Sequence, residues 1–363
     1  MVSTPYIPVP PPGYGGTELI VDELVTGLHA AGHEVFLYTT GRGPAASHYV
    51  RSPYAQPVWP PEPNAELEHS ACALADLLRL RPPVDVIHTH CPTTLPLGRF
   101  VSAPLVYTIH HTRGAAYSSL YARQDRVRFV AISARQAELL PEVAGRVDVV
   151  LHGLDPSRYP LGPGGGDAVF LGRMAREKGP HVAMDVARRA GVRLIMAGQP
   201  HAGDEDYFRR EVAPRLGEGA SVIVGEVNHE EKVPLLGRAC ALLFPIDWEE
   251  PFGLVMIEAM FCGTPVLAFP RGAAPEVIDE GVTGYLCADA NQMRARLASL
   301  RRRPLDRARC RARAVARFSR MRMVRDYLDT YARAIAAARA HGSTEMPALP
   351  ESASLDETDV LLG

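Results

Sequence analysis

At 363 residues, 47% of them hydrophobic and 22% charged, the chain can bury a sizeable core, is not disordered by composition, and has room for two domains of roughly 150 to 180 residues each. A net charge of −2 and a pI near 6.7 leave no basic footprint for bulk nucleic-acid binding. Six cysteines without a CxxC pair argue against a zinc ribbon or a disulfide framework and fit a reducing cytoplasm, while no apolar run or charged-then-apolar leader points to a membrane span or a secretory signal.

Along the chain, apolar runs bounded by turn residues alternate with stretches of helical period. The first half is expected to hold strands at Glu34–Tyr38, Val84–His88, Leu105–Ile109, Arg128–Ile132 and Val147–Leu151, with helices at Thr17–Ala31, Glu66–Leu80 and Ala134–Leu140. Then LGPGGGD at Leu161–Asp167 suits neither element and reads as the break between two halves. In the second half strands are expected at Ala168–Leu171, Arg193–Ala197, Val222–Val224, Ala241–Phe244 and Pro265–Ala268. Helices fall at Pro180–Ala190, Asp206–Leu216, Lys232–Ala239, Gly253–Cys262 and Ala274–Glu280. Such alternation means α/β architecture: parallel sheets with helices on both faces, and ligands beyond the carboxyl ends of the strands. Arg301–Arg325 reads as a helix with a solvated basic face, the alternative being a patch that docks on anionic membrane. The expected organisation is a first α/β domain at 1–160, a second at 161–320, a helix at 321–340 returning to the first domain, and a disordered tail at 341–363.

Two segments carry chemistry. In Trp248–Val266, WEEPFGLVMIEAMFCGTPV, an acidic loop meets Pro251 and Gly253 and a helix begins. Free N–H groups and the positive end of the helix dipole make a seat for phosphate there, and Gly253 lets backbone approach a ligand. Glu250 precedes this helix and Glu258 lies inside it, and a carboxylate can accept two hydroxyl hydrogen bonds, as a sugar or ribose diol requires. In Phe170–Pro180, FLGRMAREKGP, a strand ends and Arg173 and Lys178 follow, two cations suited to a diphosphate whose charge grows as a sugar–phosphate bond breaks. Of 39 basic residues only Lys178 and Lys232 are lysines, a bias that by itself carries no functional conclusion. Each of these residues alone has a plainer reading as a surface charge, a cap or a turn; their order and setting carry the argument.

That order resembles the donor half of glycosyltransferase family 4. The carrying strings are GRMAREKG, GEVNHEEK at Gly225–Lys232, EEPFGLVMIEAMFCGTPVLA, RGAAPEVI at Arg271–Ile278 and GVTGYL at Gly281–Leu286, in register over about 120 residues. VPPPGYGGTE at Val9–Glu18, GHEVFL at Gly32–Leu37 and the inter-domain turn HGLDP at His152–Pro156 resemble the start and middle of the same family, in a subgroup with a GYGG loop. The resemblance implies a GT-B fold, two Rossmann-like domains facing across a cleft. It implies diphosphate contacts from Arg173 and Lys178, ribose contact from Glu258 and sugar-hydroxyl contact from Glu250. Backbone amides would come from Phe252, Gly253 and Leu254 and from the loop of Gly15 and Gly16, and Val227 would line the base pocket. His110, at the end of the strand Leu105–Ile109, resembles the family's active-site histidine, with His111 beside it. His88, Thr89 and His90 are expected to line the acceptor side, and no metal site is expected there because no supporting Cys or carboxylate spacing exists.

The activity implied is retaining transfer of a sugar from a nucleotide diphosphate, with UDP first in order, to an acceptor hydroxyl, without metal or other cofactor. A sugar phosphorylase or nucleotide-sugar epimerase on the same fold, or a non-catalytic sugar-nucleotide-binding protein, are the alternatives; a dehydrogenase is disfavoured because G-x-G-x-x-G is not met. The family places a first strand before the GYGG loop, where only Val2–Thr4 remain, so a sheet lacking its central strand is expected, and an extension of about ten residues would add solubility and activity.

Overall fold

The computed structural model describes residues 1–342 apart from 14, 42–48, 52, 63 and 218–220. Tyr14 of the GYGG loop and the expected tail from 343 onward lie outside the described residues.

The first half contains β1 (Phe36–Tyr38), β2 (Tyr49–Arg51), β3 (Ile87–Thr89), β4 (Leu105–Ile109), β5 (Val127–Ala131) and β6 (Val147–Val149), with helices α1 (Gly16–Ala30), α2 (Ala65–Leu77), α3 (Ala115–Ala122) and α4 (Ala134–Glu138). Every pairing between these strands is parallel, and β4 is buried along its whole length, as a strand covered on both faces must be. The gap between β1 and β3 is filled by Met1–Ser3. Val2 bridges Tyr38 on one side and Thr89 on the other, and the ladder includes Val2 N to His88 O at 2.8 Å, Ser3 N to Tyr38 O at 2.9 Å and His90 N to Val2 O at 2.9 Å. The expectation of a sheet without its central strand is thereby corrected: three residues suffice to pair both neighbours.

The second half holds β7 (Ala168–Leu171), β8 (Leu194–Ala197), β9 (Ser221–Ile223), β10 (Ala241–Phe244), β11 (Val266–Ala268) and β12 (Gly284–Leu286), in the spatial order β12-β11-β10-β7-β8-β9 and parallel throughout. Its helices are α5 (Pro180–Ala190), the single turn α6 (Glu205–Tyr207), α7 (His229–Arg238), α8 (Leu254–Phe261), α9 (Ala274–Val277) and α10 (Ala290–Arg302); α11 (Arg307–Phe318) and α12 (Arg320–Gly342) follow. In each sheet the chain turns outward in both directions from one central strand, Met1–Ser3 in the first and β7 in the second. Ligand crevices form at such switch points, beyond the carboxyl ends of the strands.

Most expected elements shift at their ends by one to three residues. Three differ more. The helix expected at Asp206–Leu216 is α6, then a π turn over Phe208–Val212 and a 3₁₀ turn over Ala213–Gly217, because Pro214 cannot donate to a carbonyl one turn back. Arg301–Arg325 is split among α10, α11 and α12, interrupted at Pro304 and at Ser319, with the Asp306 side chain capping α11. Many of its arginines are bound to the protein, while others, such as Arg302 and Arg325, are exposed. Arg311 and Arg322 donate to backbone carbonyls, Arg313 and Arg317 bind Asp279, and Arg320 binds Glu23. LGPGGGD is no loose break either. Gly162 N donates to Cys262 O at 3.0 Å and Gly164 N to Gly237 O at 2.9 Å, so this strap is laid on the second half.

The halves are joined where two crossings of the chain lie side by side. Leu154 N donates to Phe318 O at 3.0 Å and Arg320 N to Leu154 O at 2.8 Å. From there α12 runs back across α1 and β4, where the Tyr327 hydroxyl lies 2.9 Å from Thr108 Oγ1. No described helix is long and apolar enough to cross a membrane.

Candidate active site

The switch point of the second sheet places the loop after β7 beside the loop after β10. Gly172 and Arg173 leave β7, and Lys178 ends the turn before α5; Trp248 to Gly253 lead from β10 into α8. Lys178 reaches across to the Glu250 carboxylate and sits 4.4 Å above the Trp248 ring, whose Nε1 donates to the same Glu250 oxygen at 2.9 Å. Gly253 adopts φ 83°, the left-handed region, as the cap residue of α8, and this conformation is what favours glycine there; a Cβ would stand 2.8 Å from Met256 Cε, the movable end of a flexible side chain. Among the described residues no backbone acceptor meets the amides of Phe252, Gly253 or Leu254, which leaves N–H groups without a backbone partner at the start of α8. The Phe252 ring itself is buried against His152 and Phe318. Only the backbone of that residue serves the crevice.

Glu258, on α8, is 4% exposed. Its Oε1 accepts from Tyr159 OH at 2.9 Å and from Lys232 Nζ at 2.5 Å. Tyr159 comes from the inter-domain turn and Lys232 from α7, whose start is fixed by a capping box of Asn228 and Glu231. Burial beside Glu258 pushes the Tyr159 phenol far above its usual range, so it stays a donor. Val227, half-buried, lies in the loop before α7 at the same sheet edge. Arg173 stands apart from the Glu250 cluster, paired with Glu177 and, at 3.5 Å, with Asp204.

The first half supplies the opposite wall. Gly16 opens α1 directly against Leu254: a Cβ on it would lie 3.5 Å from Leu254 Cδ1. Gly15 packs on Pro11 and Glu18. His110, half-buried, follows β4, and its Nε2 lies 2.8 Å from His90 Nδ1. His152 stacks on it at 5.5 Å and reaches Phe252, so the histidines link the first sheet to the loop before α8. Burial drives all of these rings toward the uncharged form, His110 to about 3 and His88, His90 and His152 well below 6.5. His88, Thr89 and His90 do not line an acceptor surface. They are 3%, 0% and 4% exposed, His88 bonded to Thr108 and Tyr331 and Thr89 to Thr94, because the ends of β3 are covered by α12 and the turn at Pro92–Phe100. His111 faces elsewhere, stacked on Tyr117 and bonded to Tyr121 at 2.7 Å.

Contacts across the crevice hold it nearly shut. Arg135 makes two bonds of 3.0 Å to Glu249, and Glu276 accepts from the amides of Ala134 and Arg135 at 2.7 Å each. A cavity of about 270 Å³ between Asp167, Arg193 and Arg238 opens at the other edge of the second sheet, away from these groups. Sequence reading passed over Tyr159, Trp248 and Lys232 as site residues. A signal was present for one of them: the chain's only two lysines each bind one of the paired glutamates.

Two parallel sheets facing across a crevice, with cations, carboxylates and a helix start at the switch point, define the GT-B class of α/β proteins. Residues 158–317 match the family model described as Glycosyl transferases group 1 and residues 14–158 the one described as Glycosyltransferase Family 4; the chain belongs to glycosyltransferase family 4. It is 29% identical over 275 residues to glycogen synthase of Mycobacterium tuberculosis, a match that takes in 67% of this chain and spans 65% of the synthase. A glycosyltransferase involved in avilamycin A biosynthesis has a crystal structure with TM-score 0.68 and 25% identity, covering 92% of this chain and 98% of that one. An Anabaena protein solved in complex with UDP-glucose superposes with TM-score 0.70 at 19% identity, over 92% and 99%.

Proposed function

We propose that the protein transfers a glycosyl group, with retention of configuration, from a nucleotide diphosphate-sugar to an acceptor hydroxyl. The observation that carries this is the arrangement at the switch point: the amides at the start of α8, which meet no backbone acceptor among the described residues, lie between Lys178–Glu250 and Lys232–Glu258. In this reading the amides, Lys178 and Arg173 take the diphosphate. Glu250 accepts from hydroxyls of the donor sugar, exchanging its Lys178 partner as the phosphate arrives. Glu258 has one oxygen bonded to Tyr159 and Lys232 and turns the other to the ribose. The bond from the anomeric carbon to the phosphate oxygen breaks, and the acceptor oxygen bonds that carbon on the same face. The acceptor's proton passes to the departing phosphate, whose charge the two cations and the amides stabilise, so the step needs no metal ion. UDP-glucose, the donor bound by the Anabaena fold neighbour, is the first to test.

Calorimetric titration with UDP, GDP and ADP, on wild type and Glu258→Ala, tests the reading. One nucleotide is expected to bind, and the substitution to weaken it by about 1–3 kcal/mol, the usual cost of removing a partner from a buried polar group. If none of the three binds, or the variant binds as well as wild type, the donor site is elsewhere.

A further inference from the structure

We infer that His90 is a positioning residue that fixes the proton of His110 on Nδ1, making His110 a hydrogen-bond donor toward an oxygen of the donor sugar rather than a base. The inference rests on the transferase reading above. Strands β3 and β4 are paired neighbours, with Thr89 opposite Tyr107, so His90 and His110 emerge side by side at the carboxyl edge of the first sheet. Their ring nitrogens, His90 Nδ1 and His110 Nε2, are 2.8 Å apart, so between two uncharged rings one must donate and the other accept.

The surroundings decide which. His90 Nε2 is buried and meets no hydrogen-bond partner among the described residues. If His110 donated, the uncharged His90 ring would carry its single proton on Nε2, leaving an N–H sealed from water with nothing to receive it. If His90 donates from Nδ1, only a bare lone pair remains at Nε2. Orphaned buried N–H groups are the rarer of the two in folded proteins, and leaving such a donor unmet costs its full desolvation. His90 Nδ1 is therefore the donor, and His110 Nε2 the acceptor.

His110 then carries its proton on Nδ1, which meets no acceptor among the described residues, in a ring that keeps part of its surface open. His152 stacked on one face and His90 on the edge hold the ring in place. His88 takes no part: both its nitrogens are bonded, to Tyr331 and Thr108 at 2.8 Å each. A ring so protonated offers one N–H to a lone pair on the sugar and has no free nitrogen with which to take a proton.

The first test is nitrogen-15 NMR of the full chain labelled at histidine, with and without UDP-glucose. Long-range proton–nitrogen spectra of His110 are expected to show the Nδ1–H tautomer; the Nε2–H tautomer would overturn the inference. The second compares two substitutions. His90→Met has no donor and carries no charge, its thioether being able only to accept, so the proton of His110 is no longer held on Nδ1, and kcat is expected to fall about 100-fold, the usual loss when one preorganised donor is removed. His90→Asn places an amide N–H where Nδ1 stands and is expected to recover kcat to within about fivefold of wild type. Equal kcat in the two variants would also overturn it. Nucleotide binding by calorimetry is expected to be unchanged in both, since neither touches the nucleotide seat. Absent binding in the wild type would instead count against the transferase reading, while the tautomer spectrum would still decide the role of His90.

Discussion

At the scale of single residues, the titratable groups inside the first half have opposing effects on stability. His88, His90, His110 and His152 are held uncharged by burial, His110 down to about 3. A folded value below the unfolded one of 6.5 means that the unfolded chain takes up more protons. Their contribution is complete above about pH 6.5 and is lost as pH falls, by about 1.4 kcal/mol per pH unit for each ring. Glu18, Asp22 and Glu23 on α1 are raised by burial and act the other way, favouring the fold as they protonate. Four histidines against three carboxylates, in a window that opens at higher pH, make mild acid destabilising. His88→Asn, whose amide can keep the bond to Tyr331, is expected to flatten the fall of Tm between pH 7 and pH 5 by about one proton's share. Parallel Tm curves for variant and wild type would show that burial of His88 is not linked to folding.

At the scale of elements, the glycine-rich strap and α11 act as one unit. Arg307 donates to Gly162 O at 3.1 Å, Ala239 O at 3.0 Å, Gly237 O and Cys262 O at 2.9 Å, and Thr264 Oγ1 at 2.8 Å. One planar fork thus ties the strap to the ends of α7 and α8, and a methionine of similar length would leave those acceptors unmet. Arg307→Met is expected to lower unfolding stability by about 2–4 kcal/mol in urea denaturation. A change under about 1 kcal/mol would mean that the strap is held by its backbone bonds alone. The glycines of LGPGGGD marked an irregular segment correctly as such, but glycine serves two opposite purposes. A Cβ on Gly162 would lie 2.2 Å from Gly237, so here the missing side chain permits contact, not looseness.

For the whole molecule, the decisive contacts are those between the halves. Leu154 and Ser319 form the adjoining crossings, while Arg135–Glu249 and Glu276 at the start of α4 fasten the crevice. The Arg135 guanidinium holds the Glu249 carboxyl below its usual range, in keeping with a formed pair. In the proposed transfer reaction, closure of this kind would keep water from the activated sugar. Arg135→Met is expected to enlarge the radius of gyration seen by small-angle X-ray scattering and to raise the ratio of donor hydrolysis to transfer. A scattering curve and product ratio equal to wild type would place the control of closure elsewhere.

Local pattern was enough to make the alternation of strand and helix legible, along with the start of α8 and Lys178, Glu250 and Glu258 around it. Buried parallel strands need continuous apolar runs, and a phosphate seat needs glycine and free amides at one point of the chain; both are properties of neighbouring residues. The coming together of His90 with His110, of Tyr159 with Glu258 and of Arg307 with the strap was decided only in three dimensions. So was the filling of the first sheet by Met1–Ser3, where a three-residue run too short to read as a strand gains ladder bonds from β1 and β3 together. Each of these joins residues far apart in the chain, through hydrogen bonds whose worth depends on burial, and burial is a property of the assembled fold.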